Sequence, residues 1–236
     1  GVAKRLRWKG EHLNQYLNLS SFAEQMLVHQ NALVKVRDDM PLDYAALLGC
    51  GVLTGYGAVT RTAQIPAGSR VAVIGCGGVG LSAIHAAHLA GASRIIAIDI
   101  DTKKLEMAKL FGATDGVDAN DPELVKKVVA MTDGGVDYAF ECIGIKKSTE
   151  DSFAMLRPRG TTTIVGMIPL GTKVEFHGYD FLFERRVQGS MMGSNNFTVD
   201  IPRLVDFHMQ GRMQLDKLIS KRIRLEDINE GFAAME

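Results

Sequence analysis

The sequence has no charge imbalance and little cysteine or proline, and each shortage excludes something. Lys plus Arg equals Asp plus Glu at 27 each, with no basic run. The electrostatic footprint that nucleic acid or an anionic membrane surface needs is therefore missing. The three cysteines, Cys50, Cys76 and Cys142, are too few and too scattered for a disulfide framework, so a reducing, cytoplasmic compartment is expected. Only 6 prolines occur, and neither a low-complexity tract nor an internal repeat interrupts the chain. It opens on Gly1 without a charged n-region and apolar h-region, so no signal peptide is expected. One charge-free run, the 23 residues Val71–Ser93, is long enough for a membrane helix. Gly75, Gly77, Gly78 and Gly80 inside it argue for a turn instead, since Gly costs a helix about 1 kcal/mol against Ala.

What is present is ordinary globular composition: 236 residues, 46% hydrophobic, 23% charged, 25 Gly. That supports a real core and one large or two unequal domains. From Arg70 onward apolar strand-like runs alternate with helical periodicity. Strands are expected at Val71–Ile74, Arg94–Ile98, Val136–Phe140, Thr162–Val165 and, late in the sheet, Arg186–Gly193. Helices are expected at Val79–Leu89, Thr102–Leu110, Thr149–Leu156 and Pro122–Met131, the last capped by Asp121. Such alternation means βαβ units and a doubly wound parallel sheet of α/β class. The ends lack this rhythm. Phe22–Val28 and Leu33–Lys35 look strand-like, and Pro202–Met209 and Leu225–Met235 look helical.

The sharpest motif is Gly75-Cys76-Gly77-Gly78-Val79-Gly80, a G-x-G-x-x-G that follows a strand and opens a helix. Its glycines suit a tight turn, close backbone approach to a pyrophosphate, and close helix–strand packing. Asp99 ends the next strand, 19 residues after Gly80, where a carboxylate accepts hydrogen bonds from a ribose diol; it could equally cap the following helix. A 2′-phosphate beside it would be repelled, which favours NAD over NADP. Lys104, one turn on, reaches toward the ribose or is a solvated lysine. Cys50 has no partner at metal-ligand spacing, and a free Cys is ordinarily a small buried hydrophobe. The histidines, at 12, 29, 85, 88, 177 and 208, form no cluster; His85 and His88 read as partly exposed helix-face residues. No Gly-x-Ser-x-Gly or His-Glu-x-x-His occurs. Glu141, at a strand's carboxyl end, is a ligand-side residue or a strand-end cap.

Taken together, Leu47–Gly57, Val73–Leu81, Ile96–Asp99, Gly134–Tyr138, Phe140–Gly144, Ile164–Gly166 and Ile228–Phe232 resemble the zinc-dependent, medium-chain alcohol dehydrogenases, in order and over nearly the whole chain. The resemblance implies a Rossmann domain flanked by parts of a smaller, incomplete GroES-like catalytic domain. The expected boundaries are 1–51 for a catalytic portion, 52–193 for the dinucleotide domain and 194–236 for a segment returning to the catalytic domain. It implies Cys50 as a ligand of the catalytic zinc and Thr54 near the nicotinamide. Gly75, Gly77, Gly78, Val79 and Gly80 would hold the pyrophosphate, with Asp99 and Lys104 on the adenosine ribose. Ile143, Val165, Gly166 and Met167 would line the cleft, and Met191 would close it. The implied partners are a small alcohol or aldehyde and a second or further copy of the chain, as homodimer or homotetramer, without nucleic acid or membrane. The family's other zinc ligands lie in an amino-terminal segment that has no counterpart here, so the chain is expected to be a cofactor-binding portion. A non-catalytic dinucleotide-binding module, a zinc-free NAD(P)H reductase and a methyltransferase are the alternatives, the last disfavoured by Leu47–Gly57.

Overall fold

A computed structural model describes residues 6–14, 19 and 21–234. The chain forms two compact units, Gly1–Lys35 with Asp216–Glu236, and Val36–Leu215.

In the first unit, β1 (Leu6–Trp8) and β2 (Glu11–Leu13) form a hairpin pairing Trp8 with Glu11. Lys9 and Gly10, both at positive φ (47° and 85°), supply the two-residue turn whose twist matches paired strands. Phe22–Val28 and Leu33–Lys35, expected as strands, are bends and irregular chain. Phe22, Met26, Leu27 and Leu33 stay exposed, because an apolar run makes a strand only where a neighbour completes its ladder. The expected helix Leu225–Met235 is a 3₁₀ turn, Leu225–Asp227, followed by one helical segment, Ile228–Ala233. Phe22 meets Phe232 edge to face at 5.4 Å. Met235 lies outside the described residues.

The second unit opens with α1 (Leu42–Ala63), a continuous 22-residue helix containing π-helical turns at Leu48–Val52 and Ala58–Ala63. By length and composition α1 could cross a membrane; here Leu48, Val52, Leu53, Ala58 and Val59 are buried. The charge-free run 71–93 instead divides into β3 (Arg70–Ile74), the glycine turn and α2 (Gly78–Leu89). Alternation continues through β4 (Arg94–Asp99), α3 (Thr102–Leu110), β5 (Asp115–Asp118), α4 (Leu124–Met131) and β6 (Val136–Glu141). It ends with α5 (Lys146–Ala154), β7 (Leu156–Ile164), β8 (Arg186–Gly189) and α6 (Phe197–Met209).

All five pairings are parallel, in the order β5-β4-β3-β6-β7-β8. The chain starts mid-sheet at β3, walks to one edge, then returns beside β3 as β6. That is the Rossmann order, with its switch point between β3 and β6. The doubly wound sheet expected from strand–helix alternation is the one observed. Its central strands are covered on both faces, so β3 and β4 bury nearly every residue. One face packs Ile74, Ile96, Ile98, Phe153 and Leu156 against Leu124 and Val128 of α4.

Several boundaries differ from the expected ones. Asp121 does not cap a helix from Pro122; its carboxylate accepts the Glu123 N–H at 2.9 Å in a tight turn, and α4 begins at Leu124. α5 runs three residues ahead of the expected Thr149 start and ends before Met155, whose carbonyl accepts the Val136 N–H at 3.0 Å. β7 begins at Leu156, six residues ahead of the expected Thr162. β8 ends at Gly189, since Met192, Gly193 and Ser194 all adopt positive φ. α6 starts five residues before Pro202.

Candidate functional site

In an open parallel sheet the ligand crevice lies outside the carboxyl ends of the strands, at the switch point. The glycine turn sits there, directly after β3. Gly75 adopts φ +94° and donates its N–H to the Ile98 carbonyl at 2.8 Å; a side chain at this position would be strained and would meet Ile143 Cγ1 at 2.7 Å. A Cβ on Gly77 or Gly78 would meet nothing within 4 Å. Both are exposed, and Val79 is half-buried. The backbone at the start of α2 therefore borders open space, with first-turn N–H groups and a positive dipole end facing it. A Cβ on Gly80 would overlap the Gly75 carbonyl oxygen, so α2 closes directly onto the turn. Among these residues is a cradle that added side chains would fill or crush, and its donors suit a pyrophosphate.

Asp99 is buried at the end of β4. Its Oδ2 accepts the Cys76 N–H at 2.7 Å and its Oδ1 the Asp101 N–H at 3.0 Å. It does not cap α3: Asp101 does, accepting the Lys103 N–H at 2.8 Å. Each carboxylate oxygen keeps a lone pair beyond the bond it accepts, so a ribose hydroxyl could still be taken. Lys104 is exposed on the first turn of α3, close enough for its charge to bear on Cys76. Burial first, then the Asp99 charge, push the Cys76 thiol up to about 12, so it is an inert packing group. Burial raises the Cys142 thiol as well.

Glu141 ends β6 and is fully buried. Its Oε1 accepts the N–H groups of Ile143 (2.9 Å) and Gly144 (2.8 Å) and the Ser148 hydroxyl (2.7 Å). Its backbone carbonyl accepts Val165 and Gly166 N–H at 2.8 and 2.9 Å. One residue thus clamps both loops carrying Ile143, Val165, Gly166 and Met167. Oε2 finds no partner among the described residues. Of these loop residues Ile143 and Met167 are exposed, as is Met191 beyond β8; Val165 and Gly166 are half-buried.

Cys50 and Thr54 lie one turn apart on α1, on one face of the helix. Thr54 is buried and meets Met192 Sδ at 4.0 Å. Cys50 is exposed, so the packing role ordinary for a free cysteine does not hold. The helix crosses the glycine turn closely: a Cβ on Gly51 would approach Gly78 at 3.9 Å, and one on Gly55 would meet Ser82 Cβ at 2.7 Å and Ala83 N at 2.8 Å. The Gly-x-x-x-Gly spacing of Gly51 and Gly55 within an apolar helical run was the available signal for this approach. Among the described residues no three His, Cys, Asp or Glu side chains are placed to hold one metal ion. One thiolate does not make a zinc site. His85 is not a partly exposed face residue. It is buried, with Nδ1 3.3 Å from the Phe111 carbonyl and Nε2 2.9 Å from that of Arg212; His88 is exposed as expected.

The parallel sheet, its switch-point turn and the carboxylate one strand over define a Rossmann-type α/β protein. The sequence pattern of the zinc-binding dehydrogenases matches residues 78–208, and the chain belongs to that family. It is 37% identical to the S-(hydroxymethyl)glutathione dehydrogenase of Saccharomyces cerevisiae, over 95% of this chain and 60% of that protein. The crystal structure of benzyl alcohol dehydrogenase from Acinetobacter calcoaceticus superposes with a TM-score of 0.91 at 34% identity, over 98% of this chain and 65% of that one. A zinc-binding dehydrogenase from Sinorhizobium meliloti 1021, solved bound to NADP, superposes at 0.70 with 32% identity, over 77% of this chain and 53% of that one. The chain thus spans about three fifths of the length of such relatives.

Proposed function

We propose that this chain is the cofactor-binding portion of an NAD-dependent alcohol dehydrogenase of the zinc-dependent, medium-chain type. The reaction is hydride transfer between the nicotinamide and a primary or secondary alcohol or the matching aldehyde. The observation that carries this reading is the open backbone face at Gly77 and Gly78 beside the buried Asp99 carboxylate. In it, the first-turn N–H groups of α2 hold the pyrophosphate, and Asp99, kept in place by Cys76 and Asp101, accepts the adenosine ribose hydroxyls. Lys104 adds a donor at the rim. Ile143, Val165, Gly166 and Met167, fixed by Glu141, wall the cleft; Met191 closes it and Thr54 faces the nicotinamide end. A bound dinucleotide supplies the hydride acceptor.

The relatives' names support an alcohol or aldehyde substrate, and that of the yeast relative extends the candidates to aldehyde–thiol adducts. NAD is preferred over NADP because a 2′-phosphate would sit against the Asp99 charge. Zinc in the whole enzyme would take Cys50 as one ligand and the others from beyond residues 1–236. A homodimer or homotetramer fits the edge position of β8, and a cytoplasmic location fits three free cysteines. Fluorescence titration tests the cofactor reading: saturable NADH binding with much weaker NADPH binding is expected, and equal affinities overturn it.

A further inference from the structure

At the opposite end of the sheet from the glycine turn is a second concavity. It occupies about 370 Å³ at the amino ends of β3, β6 and β7, lined by the segment Pro66–Ser69 and by Arg70, Asp137, Tyr138, Arg157 and Arg159. The five residues of β3 separate it from the dinucleotide crevice by about 13 Å at 3.3 Å per residue. Nothing in the cofactor reading uses it.

Its charges do not balance. Asp137 is the single carboxylate lining it, and two guanidinium groups share it. Oδ2 accepts the Arg70 backbone N–H at 2.6 Å and faces Arg70 Nε at 3.4 Å, while Oδ1 pairs with Arg157. Arg70 also donates to the Thr132 carbonyl. Among the described residues Arg159 pairs with Glu184 alone, at 3.1 Å, and both of those side chains are largely exposed. Arg70, Arg157 and Arg159 set against Asp137 and Glu184 leave one unit of positive charge at the cavity wall.

The backbone presents these arginines in an unusual way. Val136 pairs with Leu156 and Tyr138 with Thr161, so four residues of β7, Arg157–Gly160, stand opposite Asp137 alone. Bulges are rare between parallel strands and serve to re-aim side chains. Within this one Arg159 holds φ +68°, a left-handed conformation that is disfavoured for a non-glycine residue. The excursion carries Arg157 and Arg159 out of the ladder and onto the cavity.

We propose that this cavity is an anion site for a small phosphate-bearing molecule, bound by the forked donors of Arg157 and Arg159 with Arg70 behind them. Guanidinium forks match phosphate oxygens two at a time, and a bound anion offsets the excess positive charge that Asp137 and Glu184 leave. The cavity volume lies at the lower end of small-ligand pockets, which suits a pyrophosphate-sized group.

The test is calorimetric titration of the full chain with inorganic pyrophosphate in the presence of saturating NADH, which occupies the glycine turn. One saturable site is expected. The double substitution Arg157→Gln and Arg159→Gln should weaken it about tenfold or more, with NADH affinity unchanged. Arg159→Gln alone, at an exposed position that the fold does not need, should weaken it measurably; circular dichroism melting shows that both variants are folded. Lack of saturable binding at about 5 mM, equal binding by the variants, or binding that NADH abolishes each overturn the proposal.

Discussion

The Asp99 carboxylate accepts the Cys76 amide at 2.7 Å, which ties the end of β4 to the glycine turn after β3 beside the bond from the Gly75 N–H to the Ile98 carbonyl. The residue that would select the cofactor also shapes the loop that would hold it. Asp99→Gly should therefore weaken NADH while relieving the repulsion that excludes NADPH, so that the gap between them narrows about tenfold or more. A hydrogen bond to a charged group is worth roughly 1.5–3 kcal/mol. An unchanged preference in fluorescence titration would count against Asp99 as the selector.

Two glycine substitutions should part company. Gly77→Ala places its methyl in open space, so the melting temperature should stay near that of the parent while NADH affinity falls. Gly55→Ala drives a methyl into Ser82 and Ala83 of α2, and overpacking of this kind costs about 1–3 kcal/mol. Thermal melting with NADH titration reads both; a stable Gly55→Ala variant would mean that α1 can shift away from α2.

His85 gives a pH signature. Burial lowers its pKa, opposed by the carbonyls of Arg212 and Phe111, and the His88 charge lowers it further. With the folded value depressed, the unfolded chain binds the extra proton, so the stability contribution is present above the ordinary value of about 6.5 and is lost as pH falls below it. Denaturant melts between pH 7.5 and 5.5, a window set around that value of about 6.5, should show declining stability. His85→Gln should flatten the decline attributable to this residue. Identical pH slopes would show that His85 is not its source.

Residues 1–236 alone should bind NADH but neither retain stoichiometric zinc nor turn over ethanol, longer alcohols or formaldehyde–thiol adducts. Cys50 is exposed and no trio of metal-ligating side chains accompanies it among the described residues. Elemental analysis and an NAD-linked assay read the result. Zinc at one per chain together with turnover would show that the ligands have been misjudged.

Self-association should run through β8. It is an edge strand with Val187 exposed, and unpaired edge groups invite a symmetry mate. Sedimentation should show a dimer or tetramer at micromolar concentration, and Val187→Lys should shift it toward monomer. A monomeric parent chain would refute this.

The sequence by itself determined the parallel α/β architecture, because apolar β-branched runs such as Val71–Ile74 and Arg94–Ile98 can be buried only between two helical layers. It also determined the glycine turn and the placing of Asp99, since both are local: a strand, a turn and a helix in series fix where each residue stands. β5 was not legible. Asp115-Gly-Val-Asp118 buries only Val117, and its pairing with β4 rather than its composition makes it a strand. The helix Leu42–Ala63 was hidden by its glycines, which local propensity penalises; close packing requires two of them, Gly55 against α2 and Gly57 against Gly193. Tertiary structure alone decided that Asp101 rather than Asp99 caps α3, that Glu141 clamps two loops, and that His85 is buried between carbonyls. It also decided that β7 bulges its arginines toward Asp137. Apart from the local bond by which Asp101 caps α3, each of these depends on a partner distant in sequence, and spacing along the chain carries no information about which distant groups a packed core brings within hydrogen-bond reach.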